Sequence, residues 1–377
     1  MFSEVWAKII ASILSFFMLI FGFGNQGNQE QDPPQTPEQE ISEIKNVIYL
    51  IGDGMGFNHL EKTKKERNIT LTMETFEFKG SSMTRSMDSK VTDSAAGATA
   101  LACGVRTDNG AVGVYSTDKD SKESYPKNLT ELCMEKGMLT GVITTDQTSG
   151  ATPAGFSAHS SSRSNTEDIT NDQFASGINL IWGRANGVAT SSMAQSSGYE
   201  YITTYDQMMA LDEGSYSFGQ FTNSLWKLNQ SDSKNPNLQQ MAVKAVDILD
   251  DTEEGFFLMI EGAHIDKHSH NNYSESMTEA LAEFDKTIEA MLEYAKADGE
   301  TMVIITADHE TGGITLENDA YVYTSSGHTA ADVPVFVYGT DEIIKEEEVL
   351  NNYEIPIRIA YALGFEESEF PFEVKVN

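Results

Sequence analysis

Short, almost continuously apolar runs alternate along this chain with segments whose hydrophobic positions recur every three or four residues. Residues 47–51, 139–145, 256–260, 302–306 and 335–338 are such runs, four to seven residues long, and predict strands buried on both faces. Residues 128–136, 239–249, 274–297 and 355–363 carry the helical spacing. This alternation predicts a single α/β domain over residues 45–377 with a largely parallel central sheet flanked by helices on both faces. Residues 164–254 are polar and weakly patterned, and are expected to supply peripheral helices, loops and part of a cleft wall.

Four of the predicted strands empty into polar chemistry. Gly52-Asp53-Gly54 follows the first, residues 148–152 the second, Glu261 the third and Asp308-His309 the fourth. In open α/β sheets the functional cleft lies beyond the carboxyl ends of the strands, so these groups are expected along one edge. Asp266 and His270 stand at i and i+4, a spacing that reaches one cation if a helix or turn follows the strand. A carboxylate with an imidazole suits zinc, whereas carboxylates beside hydroxyls suit magnesium, so two kinds of site are implied. Taken alone, Asp266, His268 and His270 could equally cap and solvate a helix start. Ser94 precedes the small-residue run Ala95-Ala96-Gly97-Ala98-Thr99-Ala100, which places it at a helix N-terminus where free N–H groups favour an anion such as phosphate. A bare N-capping role for Asp93 or Ser94 is the alternative.

Composition narrows the function. Against 58 acidic residues there are 25 basic ones, a formal net charge of −33, which argues against nucleic-acid binding, since that needs basic surface. The same surface repels anionic substrates, so an enzyme acting on phosphate esters would need bound cations. Residues 9–23 form an apolar stretch of 15 preceded by Lys8, short for a hydrocarbon core of about 30 Å. Residues 1–24 therefore read as an export signal cleaved near Gly24, or as an uncleaved membrane anchor, and residues 25–44 as a disordered linker. Export would let the two cysteines, Cys103 and Cys133, form a disulfide, and two buried free thiols are the alternative.

Asp53-Gly54-Met55-Gly56, Asp93 through Ala100, Ala151-Thr152-Pro153-Ala154 with Arg163, Glu261 through His270, Ala307 through Gly313 and Gly327-His328 together resemble the alkaline phosphatase family. They occur in the family's order and span most of the predicted domain. The resemblance implies two zinc ions and one magnesium ion. Asp266, His270 and His328 would hold the first zinc, Asp53, Asp308 and His309 the second, and Asp53, Thr152 and Glu261 the magnesium. Ser94 would be the nucleophile, forming a phosphoserine that water then hydrolyses, with configuration at phosphorus retained over two in-line displacements. Arg163 would grip two phosphate oxygens, and Lys267 matches a position that contacts phosphate through water. Small-molecule phosphate monoesters are the implied substrates, and family members are often homodimers.

One position departs from the family. Two residues before the magnesium hydroxyl ligand the family often carries aspartate or histidine, whereas this chain has Gly150, so a more easily depleted magnesium site is expected. Of the other histidines, His59 is expected to lie on a helix surface or to pack, His159 to be structural near the site, and His264 to be structural or to support a ligand. Alternatives to the monoesterase are a related metal-dependent phosphodiesterase or sulfatase, or a non-catalytic metal- or phosphate-binding protein.

Overall fold

A computed structural model describes residues 43–119, 125–222, 227, 234–366 and 370. The export signal or anchor expected at residues 1–24 lies outside the described residues, as does all but the end of the expected linker. Along the chain run strands β1 (Asn46–Ile51), β2 (Phe78–Met83), β3 (Leu139–Gln147), β4 (Leu180–Arg184), β5 (Glu200–Ile202), β6 (Ser217–Phe221) and β7 (Phe256–Glu261). They are followed by β8 (Thr301–Thr306), β9 (Glu310–Thr311), β10 (Thr315–Glu317), β11 (Ala320–Val322), β12 (His328–Thr329), β13 (Val333–Tyr338) and β14 (Glu348–Asn351). Ten of them form one sheet in the order β14-β2-β13-β8-β1-β7-β3-β4-β6-β5. It is parallel except for β13, which runs antiparallel to both β2 and β8.

The central strands are apolar throughout because both faces are covered. In β1, Ile48 and Leu50 join one core layer while Val47, Tyr49 and Ile51 join the other, the two-residue alternation of an extended chain. Helices Leu238–Leu249 and Ser274–Asp298 pack on the first face. Helices Ser94–Cys103, Leu129–Glu135 and Glu354–Ala362 pack on the second. The mostly parallel sheet flanked by helices is thus the expected architecture, with helix ends within two residues of the spacing pattern.

Residues 164–254 depart from expectation, since they are not peripheral: β4, β6 and β5 complete one side of the sheet. These strands are only five, five and three residues long, and Gly183, Gly219 and Gln220 interrupt their apolar pattern. Their burial comes from tertiary packing, with Trp182 donating its indole N–H to Ser217 Oγ at 2.7 Å. Cys103 and Cys133 are free and buried in one core layer, where burial pushes both thiols well above their usual pKa. No helix among the described residues is long and apolar enough to cross a membrane.

Candidate active site

The carboxyl ends of β1, β3, β7 and β8 open on one edge, where the polar residues that follow them converge. Helix Ser94–Cys103 reaches that edge by close packing. At Gly97 an added Cβ would lie 3.0 Å from the Asp308 carbonyl oxygen, so the small-residue face lets the helix press its first turn against the end of β8. Asp93 caps that helix by accepting from the Ala96 N–H at 3.0 Å, leaving Ser94 buried in the first turn.

Asp266 and His270, on and just beyond helix His264–Ser269, meet His328 of β12. His270 Nε2 is 3.3 Å from Asp266 Oδ1 and 3.1 Å from His328 Nε2, and His328 Nε2 is 3.6 Å from the same carboxylate oxygen. The Nδ1 atoms face only acceptors, the Ser326 carbonyl at 2.7 Å for His270 and the Thr92 carbonyl at 2.9 Å for His328. Both protons therefore sit on Nδ1, and two Nε2 lone pairs point at one another beside a carboxylate oxygen. A cation among the three atoms resolves that repulsion, and imidazoles whose Nδ1–H is anchored to a carbonyl are the usual zinc ligands.

A second group, Asp53, Asp308 and His309, is buried. Asp308 Oδ1 accepts from the Gly54 and His309 N–H groups at 3.1 and 3.0 Å. Asp308 Oδ2 and Asp53 Oδ1 are buried with no hydrogen-bond partner among the described residues, and stand 3.2 and 3.6 Å from His309 Nε2. Thr311 Oγ1 donates to Asp266 Oδ1 at 2.6 Å and accepts from His309 Nδ1 at 3.2 Å. His309 Nε2 thus carries a lone pair, and Ser94 Oγ donates to it at 3.1 Å. Burial, reinforced by His328 and Arg163, holds His309 well below the usual imidazole range. Burial and then the neighbouring Asp308 push Asp53 well up. Burial and Asp266 push Asp308 up to about 7. Buried carboxylates crowded in this way ionise when a cation joins them.

Glu261 ends β7 and is buried with Thr152. Burial and then the charge of Asp146 push its carboxyl up to about 8. Its Oε2 accepts from Thr144 Oγ1. Thr152 Oγ1 makes no hydrogen bond of good geometry, although it faces Glu261 closely enough to hold that carboxyl down somewhat. The donors at this end are all oxygens, the set that suits magnesium.

Arg163 stands in the loop after helix Ala151–Gly155, its Nη1 3.0 Å from Asp93 Oδ2. Burial works against its charge, but Asp93, Asp53 and Asp308 more than offset this and raise its pKa, so the guanidinium sits in the field of the second group. Lys267 Nζ lies 2.7 Å from Asp146 Oδ1.

The family model for alkaline phosphatase matches residues 44–181 and 182–354. The chain belongs to the alkaline phosphatase family. Alkaline phosphatase 4 of Bacillus subtilis is 35% identical over 76% of this chain and 66% of its own length. Alkaline phosphatase 3 of the same organism is 34% identical over 74% of this chain and 63% of its own length. The chain thus spans just under two thirds of these curated relatives. A histidine-to-glutamate variant of the alkaline phosphatase from the Antarctic bacterium TAB5, solved with Mg bound in its M3 site, superposes with a TM-score of 0.74 at 28% identity. That alignment covers 87% of this chain and 100% of the variant's.

As a member of the alkaline phosphatase family, the chain shows why some site residues were visible in sequence and others were not. Asp93, Thr311 and Asp146 each touch a site residue yet went unassigned. Asp93 signalled only a helix cap, and its second oxygen holds Arg163. Thr311 lies inside a family motif but acts by linking Asp266 to His309. His59 packs as expected, accepting from the Gly56 N–H at 3.2 Å and facing Ser269 Oγ at 3.1 Å, and burial pushes its pKa down to about 3. His159 is held between Glu131, at 3.0 Å, and the Gly113 carbonyl, which is the structural role expected. His264 faces Thr145 Oγ1 at 3.1 Å beside the site.

Proposed function

We propose that this chain is an alkaline phosphatase that hydrolyses phosphate monoesters to alcohol and inorganic phosphate through a phosphoserine at Ser94. The observation that carries this is the pair of histidine lone pairs meeting at Asp266, next to a second buried group that contacts the serine hydroxyl. Asp266, His270 and His328 would hold one zinc ion, Asp53, Asp308 and His309 another, and Asp53, Thr152 and Glu261 a magnesium ion. The donor chemistry fits, with imidazoles in the zinc groups and oxygens alone in the magnesium group. Bound zinc would supply Lewis acidity, favouring the ionised serine and stabilising charge on the departing oxygen.

The chain's own part follows from position. Ser94 Oγ forms a bond to phosphorus as the ester P–O bond breaks, its proton passes to solvent and the alcohol departs protonated. Water then attacks phosphorus from the side the alcohol left, the Oγ–P bond breaks, and Ser94 regains a proton. Arg163 presents a planar guanidinium of which Asp93 occupies one nitrogen, leaving donors for two non-bridging phosphate oxygens. Lys267 would approach phosphate through water. These contacts all grip the phosphoryl group, which supports a broad range of alcohols.

The apolar residues 9–23 support an exported enzyme, cleaved or anchored at the N-terminus, and a homodimer accords with the family. The test is hydrolysis of a nitrophenyl phosphate by the purified protein with and without zinc and magnesium, beside its diester and sulfate analogues. Metal-dependent monoester turnover lost in Ser94→Ala is expected. Preference for the diester or sulfate, or no turnover in the metal-replete protein, overturns the reading.

A further inference from the structure

Gly150 stands two residues before Thr152 and brings no side chain of its own to the proposed magnesium group, and the structure supplies a reason. Its backbone, at φ −57° and ψ 161°, is open to any L residue, so conformation does not demand glycine there. Space there is tight: a Cβ at this position would stand 3.0 Å from Asp146 Oδ2 and 3.0 Å from the Gln147 carbonyl oxygen, so a neighbour would have to give way. The place that a side chain from residue 150 would enter is already taken by a carboxylate arriving from four residues upstream, at the end of β3.

Asp146 is tied to the magnesium group from two sides. Its N–H donates to Thr144 Oγ1 at 2.8 Å, and that hydroxyl donates to Glu261 Oε2, so one hydroxyl joins the Asp146 backbone to a magnesium ligand. Its Oδ1 pairs with Lys267 Nζ at 2.7 Å and with Arg184 Nη2 at 3.3 Å, while Oδ2 is turned toward Gly150, two residues before Thr152. Asp146 is also the side chain whose charge acts most strongly on Glu261. Its own carboxyl, although burial pushes it up, is held below the usual range by Lys267, the Gln147 N–H and Arg184, so it is a fixed negative charge at neutral pH. With 21% of the side chain exposed it is neither a surface carboxylate nor a sealed one.

The geometry points to Asp146 as the positioning carboxylate of the magnesium site, occupying the space that Gly150 leaves, with one oxygen fixing Lys267 and the other serving as an outer acceptor beside Thr152. This rests on Asp53, Thr152 and Glu261 binding magnesium. It reverses the expectation drawn from Gly150 alone, because the acidic group is present but enters from a different point in the chain. Outer carboxylates of this kind orient ligands and the water around an ion, and their loss lowers metal affinity about 10–100-fold.

The test is equilibrium dialysis of the full zinc-loaded protein against graded free magnesium, with both metals counted per chain. Three proteins are compared: wild type, Asp146→Asn and the double variant Asp146→Ala/Gly150→Asp. Asp146→Asn is expected to bind magnesium about tenfold or more weakly with two zinc ions per chain retained. The double variant, which returns a carboxylate to the vacated space from residue 150, is expected to recover most of that loss. A simple surface ion pair would not be rescued from residue 150. Asp146→Asn binding magnesium as wild type does overturns the inference. So does loss of zinc and magnesium together without recovery in the double variant. A wild type that takes up zinc but no magnesium overturns the three-ion reading itself, a distinct result.

Discussion

His270 Nε2 and His328 Nε2 face each other at 3.1 Å, each ring with its Nδ1 proton committed to a backbone carbonyl. Neither nitrogen can donate to the other, and Asp266 Oδ1 adds a third acceptor within 3.6 Å. Three acceptors held together by three separate segments are well suited to a cation, so the arrangement points to metal binding more sharply than any one of these residues.

Removal of either imidazole should therefore cost metal before it costs fold. His270→Ala is expected to lower zinc from two ions per chain toward one and to reduce turnover by more than the roughly 10–100-fold of an outer-shell change. Metal analysis beside a thermal melt checks this. Full zinc occupancy in His270→Ala would place the ion elsewhere.

Asp93 does two jobs that substitution can separate. One oxygen caps helix Ser94–Cys103 and the other holds Arg163. Asparagine caps about as well as aspartate, whereas alanine loses about 0.5–2 kcal/mol. Asp93→Asn should melt near wild type while KM for a nitrophenyl phosphate rises about tenfold, the scale of one charge-assisted hydrogen bond. Asp93→Ala should show the same KM and a lower melting temperature as well. Equal melting temperatures for the two variants would remove the cap from the account.

Much of this site was legible because its ligands end strands whose apolar runs are unmistakable. Asp53 follows β1, Glu261 closes β7, and Asp308-His309 follows β8, so sheet topology alone gathers them at one edge. His328, in the two-residue strand β12, and Arg163, in a loop, lie in segments with no such pattern, and only the family motifs identified them. Asp146 stayed hidden for a physical reason: its relation to Gly150 exists only after the turn following β3 folds a carboxylate back into a glycine's empty space. The strands β4, β5 and β6 stayed hidden because their burial depends on partners such as Ser217 under Trp182, which no local periodicity encodes.

The crowded carboxyls give the metal-free protein a pH dependence of definite sign. In the folded chain Asp308 is pushed up to about 7 and Glu261 to about 8, so between their unfolded values near 4 and these values the native state binds more protons than the unfolded state. Buried His59, His264 and His309, all held low, act in the opposite sense below the unfolded imidazole value of about 6.5, so the fall in stability due to these carboxyls shows alone above that pH and levels off past about 8. Zinc and magnesium compete with those protons, so their stabilising effect should grow over the same range. Thermal melts of chelated and metal-replete protein from about pH 6.5 to 9 are expected to diverge up to about pH 8 and to run level above it. A chelated protein that becomes more stable between about pH 6.5 and 8 would show that these carboxyls are not crowded as described.

Gly54 offers a last test of how the fold aims its ligands. It sits at φ +74°, and a Cβ there would lie 2.8 Å from both Asp266 Cβ and Thr311 Oγ1, while its N–H supports Asp308. Gly198 has a similar φ of +83° with nothing within 4 Å of the same added atom. Alanine at either place incurs the left-handed backbone cost of about 1–2 kcal/mol, but only at Gly54 must it also displace Asp266 and Thr311, an overpacking cost of about 1–3 kcal/mol more. Gly198→Ala should therefore lower the melting temperature while keeping two zinc ions and wild-type turnover per folded molecule. Gly54→Ala should melt lower still and lose zinc, because the residue it pushes is a proposed ligand of the first group and the residue beyond it orients His309. Equal zinc content in the two variants would mean that the end of β1 does not set the position of Asp266, and that the ligands are aimed by helix His264–Ser269 alone.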